Sequence, residues 1–402
     1  VGSIVIDATW ASLSMPLLDQ ITPLARFIVA IVAGSIACLS LAAGALLHRR
    51  RLNRIPIRVH VAGTRGKSAV TRLVAAGLRA GGYRIVAKTT GTQPKLIRPD
   101  GSEVPIRRWS AASIREQSSF IRRAAREKAD AVVVEAMAIE PEYLGALERF
   151  YIRATDLLIT NLRPDHQEQL GDRPDAMASA ITRAFPPGGR VFATAEAATP
   201  LVQGEAQRLS CELIVCDDVR DSDPEAANLM LARAICRRYR IDDKVADAAM
   251  RDAQRDIGAF SLQSVTLAGR SVRFANAFSC NDIESFRLLW QRHQPAGIPA
   301  AFLFNARADR PLRSRAFLSL LPLLAPDAAL YVTQGSRVFQ KWAQKAGFDP
   351  SRVHLLPLAP APQQLDRIAR DVADGTVVWG TGNFRGAGAE ITAFVDAVAQ
   401  PC

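Results

Sequence analysis

Residues 57–74 read IRVHVAGTRGKSAVTRLV, and no other stretch restricts the fold as tightly. The β-branched run Ile57, Val59 and Val61 feeds a glycine-rich turn, Gly63-Thr64-Arg65-Gly66, followed by Lys67-Ser68 and an amphipathic pattern. Strand, turn and helix in that order form a phosphate-binding loop. Backbone N–H groups and the positive helix N-terminus face the anion, a lysine reaches the outer phosphates, and a hydroxyl serves Mg²⁺. The common spacing needs a glycine where this chain has Val61, so the loop is the compressed form G-T-x-G-K-S. An ordinary glycine turn with a solvated lysine is the plainer alternative, and the flanking strand and helix patterns argue against it.

β-type runs alternate with helical stretches from Ile57 to the end of the 402 residues, which predicts an α/β protein with two doubly wound sheets. We expect a central ATP-binding domain at 57–265 and a smaller Rossmann-like α/β domain at 266–402. Candidate central strands are 84–88, 131–135, 157–160 and 190–194, with helices near 113–128 and 174–185. Candidate strands of the second unit are 272–275, 300–304, 329–332, 353–356 and 376–379, and 357–362 reads as a connector.

The front of the chain differs. Residues 27–47 carry no charge, and 21 residues of helix span about 30 Å, the thickness of a bilayer core. Arg26 stands at one end and His48-Arg49-Arg50-Arg51 at the other. A cleaved signal peptide has the opposite layout. The basic side is expected in the cytoplasm, giving a single-pass inner-membrane protein with residues 1–26 outside and 48–56 as a basic linker. Six cysteines without a C-x-x-C pair or a His at metal spacing read as reduced thiols. The net charge of +12 suits nucleic acid, an anionic membrane or an acidic substrate, and does not choose among them.

Polar residues at strand ends carry weight in an open α/β sheet, because ligands bind there. Glu135 ends the apolar run Ala131–Val134, where a carboxylate beside a phosphate loop can hold Mg²⁺. Asn161, Asp165 and His166 follow the run 157–160, and an imidazole there can ligate a second metal or steer a phosphate.

The ordered set Gly63-Thr64-x-Gly66-Lys67-Ser68, Glu135, and Thr160-Asn161-Leu162-x-x-Asp165-His166 with Gly171 resembles the Mur ligase superfamily, which joins a carboxylate to an amine at the expense of ATP. Lys88-Thr89-Thr90-Gly91, Glu116-Gln117, Glu135-Ala136-Met137-Ala138 and Asn305-x-Arg307-Ala308-Asp309-Arg310 are similar to the membrane-associated ligases of bacterial poly-γ-glutamate (capsule) synthesis. The resemblance covers about residues 57–390. It implies that Lys67 and the amides of Gly63, Thr64, Arg65 and Gly66 hold the ATP phosphates. Ser68 and Glu135 would then hold one Mg²⁺, and His166 would ligate a second metal. Asn161 would join the nucleotide site, and Asn276, Asn281 and Asp282 would contact base and ribose. Arg307 and Asp309 would reach back towards the phosphates across the interdomain cleft.

Two departures stand out. The stretch 177–185 has no lysine where many Mur ligases carry a modified one, only Arg183. The N-terminal domain that takes UDP-linked substrates is also missing between the apolar run and the loop. The implied chemistry is attack of an acceptor carboxylate on the γ-phosphate, then displacement of phosphate from the acyl phosphate by an amine. The implied partners are glutamate and the growing poly-γ-glutamate chain, the membrane and small polytopic membrane subunits, with no nucleic acid and with a homo-oligomer left open. The six basic residues Arg84, Lys88, Lys95, Arg98, Arg107 and Arg108 would attract such a polyanion under this reading, the alternative being a plain solvated basic loop. Two alternatives remain: a folylpolyglutamate-type ligase adding another acidic amino acid to a small acceptor, and a membrane-tethered phosphate-loop ATPase.

Overall fold

The computed structural model describes residues 23–91, 94–108, 113–138, 140–163, 175–216, 224–253, 259–280, 282–307, 311–333 and 337–399. Two sheets organise these residues. The first contains β1 (Ile57–Ala62), β2 (Ile85–Thr89), β3 (Lys95–Ile97), β4 (Glu103–Pro105), β5 (Ala131–Glu135), β6 (Asp156–Ile159), β7 (Arg190–Thr194) and β8 (Glu212–Cys216), in the order β4-β3-β2-β5-β1-β6-β7-β8. Its β2-to-β8 part is parallel, and β3 and β4 add an antiparallel edge. Strands β1, β2, β5 and β6 are almost wholly buried; β5 accordingly reads as the apolar run Ala131–Val134, whereas β1 alternates Ile57, Val59 and Val61 with Arg58 and His60 and still buries His60. The helix Lys67–Ala80 covers one face, packed against the helices Pro224–Arg238 and Asp243–Arg251 through Val70, Val74, Leu231, Ile235 and Met250.

The second sheet contains β9 (Ser261–Leu267), β10 (Arg270–Asn276), β11 (Ala300–Asn305), β12 (Ala329–Thr333), β13 (Val353–Leu355) and β14 (Val377–Gly382), ordered β13-β12-β11-β14-β10-β9. All pairs are parallel except β9 with β10. That hairpin turns at Ala268-Gly269, both at positive φ (48° and 77°), which fits the primed two-residue turn that matches strand twist. On one face Phe286, Trp290, Phe302, Phe317 and Trp379 form an aromatic core, and Trp379 donates its indole N–H to Gln294 Oε1 at 2.8 Å.

The sequence left β3, β4, β8 and β9 unassigned. The first two are three residues long and rich in charge; β8 and β9 are edge strands with half-exposed side chains and no clean alternation. The helix Ala361–Asp371 begins inside the segment expected as a connector, with Ala361 and Pro362 opening its first turn.

The N-terminal helix runs from Pro23 to Asn53, so the basic segment expected as a linker is helical as far as Asn53. Its stretch from Ala25 to Asn53 has a mean hydropathy of 2.3 in its most apolar window, none of it buried, which makes it long and apolar enough to cross a membrane. Its last turns dock on the first sheet unit: Leu52 is 2% exposed, and His48 Nε2 lies 3.0 Å from the Tyr151 carbonyl oxygen.

Trp379→Ala removes the centre of the aromatic core, so the expected loss is about 3–5 kcal/mol, read as a lower denaturant midpoint for the second sheet unit. A change below about 1 kcal/mol would mean the ring is not closely packed.

Candidate nucleotide and metal site

The phosphate loop joins β1 to the helix Lys67–Ala80 at the C-terminal edge of the first sheet. Gly63 and Gly66 have φ of +127° and +78°, the region open to glycine. A Cβ at Gly63 would lie 2.1 Å from Thr160 Oγ1, and one at Gly66 would lie 2.5 Å from Asn228 Oδ1. Backbone twist and close approach therefore both demand these glycines. Val61 departs from the common spacing because it lies within β1, fully buried and paired with Glu135, so the turn starts later.

Asn161 braces the loop from the adjoining strand end. Its backbone carbonyl accepts from Thr64 N–H at 3.1 Å, its Oδ1 accepts from Arg65 N–H at 3.3 Å, and its Nδ2 donates to Arg65 O at 3.1 Å. The Thr64 hydroxyl donates to Arg163 O at 2.8 Å. Lys67 Nζ donates to the carbonyls of Gly63 (2.7 Å) and Thr64 (3.2 Å), which places the ammonium across the mouth of the turn.

Ser68 and Glu135 meet directly. Ser68 Oγ donates to Glu135 Oε2 at 2.8 Å, and Thr90 N–H donates to the same oxygen at 2.6 Å. Glu135 is 3% exposed, and a carboxylate so buried needs hydrogen bonds or a cation. A hydroxyl and a carboxylate are hard oxygen donors at the start of a helix facing phosphate, a pair that fits Mg²⁺ completed by phosphate oxygens and water. Among the described residues, no group of three or more His, Cys, Asp and Glu gathers at metal distance.

Asp282 links the two sheet units. Its Oδ2 accepts from Arg65 Nε at 3.1 Å, and its Oδ1 caps the helix Ile283–His293 through Ser285 N–H at 2.7 Å. Arg163 Nη1 donates to Ser285 Oγ at 3.0 Å. Asp282 thus sits against the phosphate loop itself. Asn276 ends β10, is 2% exposed, and accepts from Phe278 N–H at 3.4 Å through Oδ1, shaping the turn that leads to Asp282. Arg307 lies just past β11. His166, Asn281 and Asp309, together with Asp165 and Gly171, lie outside the described residues. The Gly380–Asn383 turn locks β14 to β11, because Asn383 Nδ2 donates to Asn305 O at 3.1 Å and Asn305 Nδ2 donates to Asn383 O at 2.6 Å.

Sequence reading missed Asn228, which touches the loop only through the fold, and gave no separate role to Thr160 or to the amide of Thr90, although both lie in motifs it singled out. The basic stretch is partly neutralised within the fold. Lys88 is 1% exposed, 3.1 Å from Glu116 Oε2 and 3.2 Å from Gln117 Oε1; Arg108 Nε donates to Glu116 Oε1 at 2.8 Å. Burial pulls the Lys88 pKa down while Glu116 opposes it. Lys95 and Arg72 both pair with Glu103, at 2.8 and 2.6 Å. Half of those six cations are tied into ion pairs. A small cleft beside Lys67 is lined by Gly63, Thr64, Ala136, Met177 and Ile181, so the 177–185 stretch offers it only apolar side chains, and Arg183 lines a different cleft. Burial pushes the thiols of Cys236 and Cys280 up to about 12, so they are protonated and unreactive at neutral pH.

Comparison with known proteins agrees with this geometry. Residues 61–223 match the Mur ligase middle domain, and residues 262–397 match the poly-gamma-glutamate synthase CapB C-terminal domain. PGA synthase CapB of Bacillus subtilis (strain 168) is 28% identical over 355 residues, covering 85% of this chain and 90% of that protein. The capsule biosynthesis protein CapB of Bacillus anthracis is 29% identical over 357 residues, covering 85% and 76%. Among solved structures, FolC of E. coli in complex with ADP superposes with a TM-score of 0.66 at 16% identity, covering 88% of this chain and 93% of that one. MurF of Acinetobacter baumannii gives 0.61 at 13% identity, covering 88% and 80%. Those two likenesses concern the fold. Loop, brace, buried Ser68–Glu135 pair and matched domains lead to one assignment: the chain joins a Mur ligase middle domain to a C-terminal domain of the CapB type.

Proposed function

We propose that this chain is an ATP-dependent carboxylate–amine ligase that lengthens poly-γ-glutamate and releases ADP and phosphate. The observation that carries the reading is the Ser68–Glu135 contact at the mouth of a phosphate loop, within a chain whose two matched domains and two CapB relatives point to glutamate polymer synthesis. FolC, whose fold this chain shares, was solved in complex with ADP, which supports a nucleotide as ligand here. Mg²⁺ held by Ser68 and Glu135 would neutralise charge on the phosphate oxygens.

The chain's own groups divide the work. The amides of Gly63–Gly66 and the helix N-terminus cradle the phosphates. Lys67, already aligned across the turn, offsets the negative charge that builds between the β- and γ-phosphates as the acceptor carboxylate oxygen bonds to the γ-phosphorus and ADP leaves. The amine of the incoming glutamate then attacks the acyl carbon, and phosphate departs with the electron pair of the broken C–O bond. Arg65 and Asp282 join the sheet units beside the loop, where closure keeps water from the acyl phosphate. His166, Arg307 and Asp309 complete the proposed set, with Asn276 and Asn281 towards the base and ribose. The apolar N-terminal helix tethers the ligase to the cytoplasmic face of the inner membrane beside small polytopic subunits.

Lys67→Ala and Glu135→Ala are each expected to lower product formation at least about 100-fold, the scale seen when a preorganised electrostatic group is lost. Both side chains sit at loop or strand tips, so circular dichroism should stay unchanged. An active Lys67→Ala protein would show that this loop does not hold the reacting phosphate.

Turnover in membranes containing the neighbouring subunits should require glutamate or a glutamate oligomer and yield ADP with phosphate. Hydroxylamine should trap the acyl phosphate as a hydroxamate. AMP with pyrophosphate as products, or ATP turnover indifferent to every acidic amino acid, would overturn the ligase reading.

A further inference from the structure

A second cleft, of about 950 Å³, lies at the base of the N-terminal helix, away from the phosphate loop. Its walls come from the end of that helix, the π-helical segment Leu147–Ile152, and the turn Pro186-Pro187. Six arginines line it: Arg49, Arg58, Arg149, Arg153, Arg183 and Arg208. Three glutamates share the lining, but two are already engaged. Glu205 pairs with Arg208 at 2.6 Å, and Glu148 is 5% exposed with its Oε1 accepting from Ala154 N–H. Six arginines against three glutamates leave the described lining with a positive surplus, even though Glu148 also acts on Arg58 and Glu205 on Arg183.

The placement of this cleft matters more than its charge. The uncharged run ends at Leu47, and the helix residues in the cleft wall are Arg49, Leu52 and Asn53. At 1.5 Å per residue these lie about 3–9 Å beyond the apolar run along the axis, the depth of the headgroup layer, about 5–7 Å on each side. The end of the helix is docked at this height: Leu52 is buried, its carbonyl accepts from Arg58 Nη1 at 3.5 Å, and His48 Nε2 lies 3.0 Å from the Tyr151 carbonyl oxygen. At the rim, Phe150 is 61% exposed with the Arg149 guanidinium 5.5 Å from its ring centroid, and Tyr143 is 53% exposed in the preceding helical turn. Exposed aromatics beside cations are the side chains that settle at a membrane–water interface.

We propose that this cleft binds the phosphate headgroup of an anionic phospholipid and so fixes the orientation of the ligase on the membrane. The inference rests on the membrane attachment proposed above. Arginine suits the ligand, because its planar fork binds phosphate oxygens in pairs and stays charged at every physiological pH.

The test uses the full chain, purified in mild detergent and stripped of lipid. Native mass spectrometry should count phosphatidylglycerol retained against phosphatidylcholine at equal concentration. The expected result is preference for phosphatidylglycerol of about tenfold or more, lost in the double variant Arg149→Glu/Arg183→Glu while ADP binding is kept. The milder Arg149→Gln/Arg183→Gln should show a partial loss and covers the case in which charge reversal disturbs folding. Equal retention of the two lipids, or a preference that survives both double variants, would overturn the proposal. So would saturation of the cleft by inorganic phosphate alone, or displacement of the lipid by soluble poly-γ-glutamate. Flotation with phosphatidylcholine vesicles after a high-salt wash reads the membrane span separately: a chain that fails to float but retains phosphatidylglycerol loses the span and keeps the cleft.

Discussion

The turn between β1 and the helix Lys67–Ala80 is the constraint on which the rest of the site depends. Gly63 and Gly66 adopt left-handed conformations because the chain must leave an almost wholly buried parallel strand and enter a helix within four residues. The space at each is taken by a neighbouring side chain, Thr160 at the first and Asn228 at the second. A turn this tight leaves its amides facing outward and has few internal hydrogen bonds. Asn161 supplies what is lacking by bonding the loop at both Thr64 and Arg65. The brace comes from the strand end next to β1, so the sheet order itself positions the loop.

The large basic surplus has two destinations in the fold. Around β2, β3 and β4 it is consumed locally. Glu103 holds Arg72 and Lys95, and Glu116 holds Lys88 and Arg108. Buried pairs of this kind contribute little net stability over an apolar core but fix which groups meet. Here they anchor the end of β2, next to Thr90, whose amide meets Glu135. Around the base of the N-terminal helix the arginines outnumber their partners, and the surplus faces the proposed membrane plane. A single net charge of +12 conceals this division, because composition does not record which carboxylate lies beside which cation.

Much of the fold was legible because parallel central strands are buried on both faces and appear as apolar runs. Ala131–Glu135 and Arg190–Thr194 have the bounds that their sequence suggests. Edge strands such as Glu212–Cys216 were not legible, since half-exposed side chains leave neither a run nor an alternation. In the site, Gly63, Gly66, Lys67, Ser68 and Glu135 could be read because local geometry dictates residue type. Asn228 could not, because it sits on a helix some 160 positions later and its role is to fill the space beside a glycine. Asp282 was named by the family resemblance as a base and ribose contact, but its partner here, Arg65, belongs to the other sheet unit and no local pattern pairs the two.

That pairing suggests how the two units work together. Arg65 lies between the two glycines of the loop, and Asp282 caps the helix that follows β10. Their side chains are 21% and 10% exposed, so the ion pair is neither deeply buried nor fully screened. A pair in that position costs little to break, unlike a buried one, where the abandoned charge would be left without solvent. It is therefore suited to a contact that re-forms in each catalytic cycle. Because Arg65 shares the turn with Lys67, any movement of the second unit acts on the backbone proposed to hold the phosphates. The helix cap links the same carboxylate to the orientation of Ile283–His293, so loop, cap and interdomain contact respond as one element.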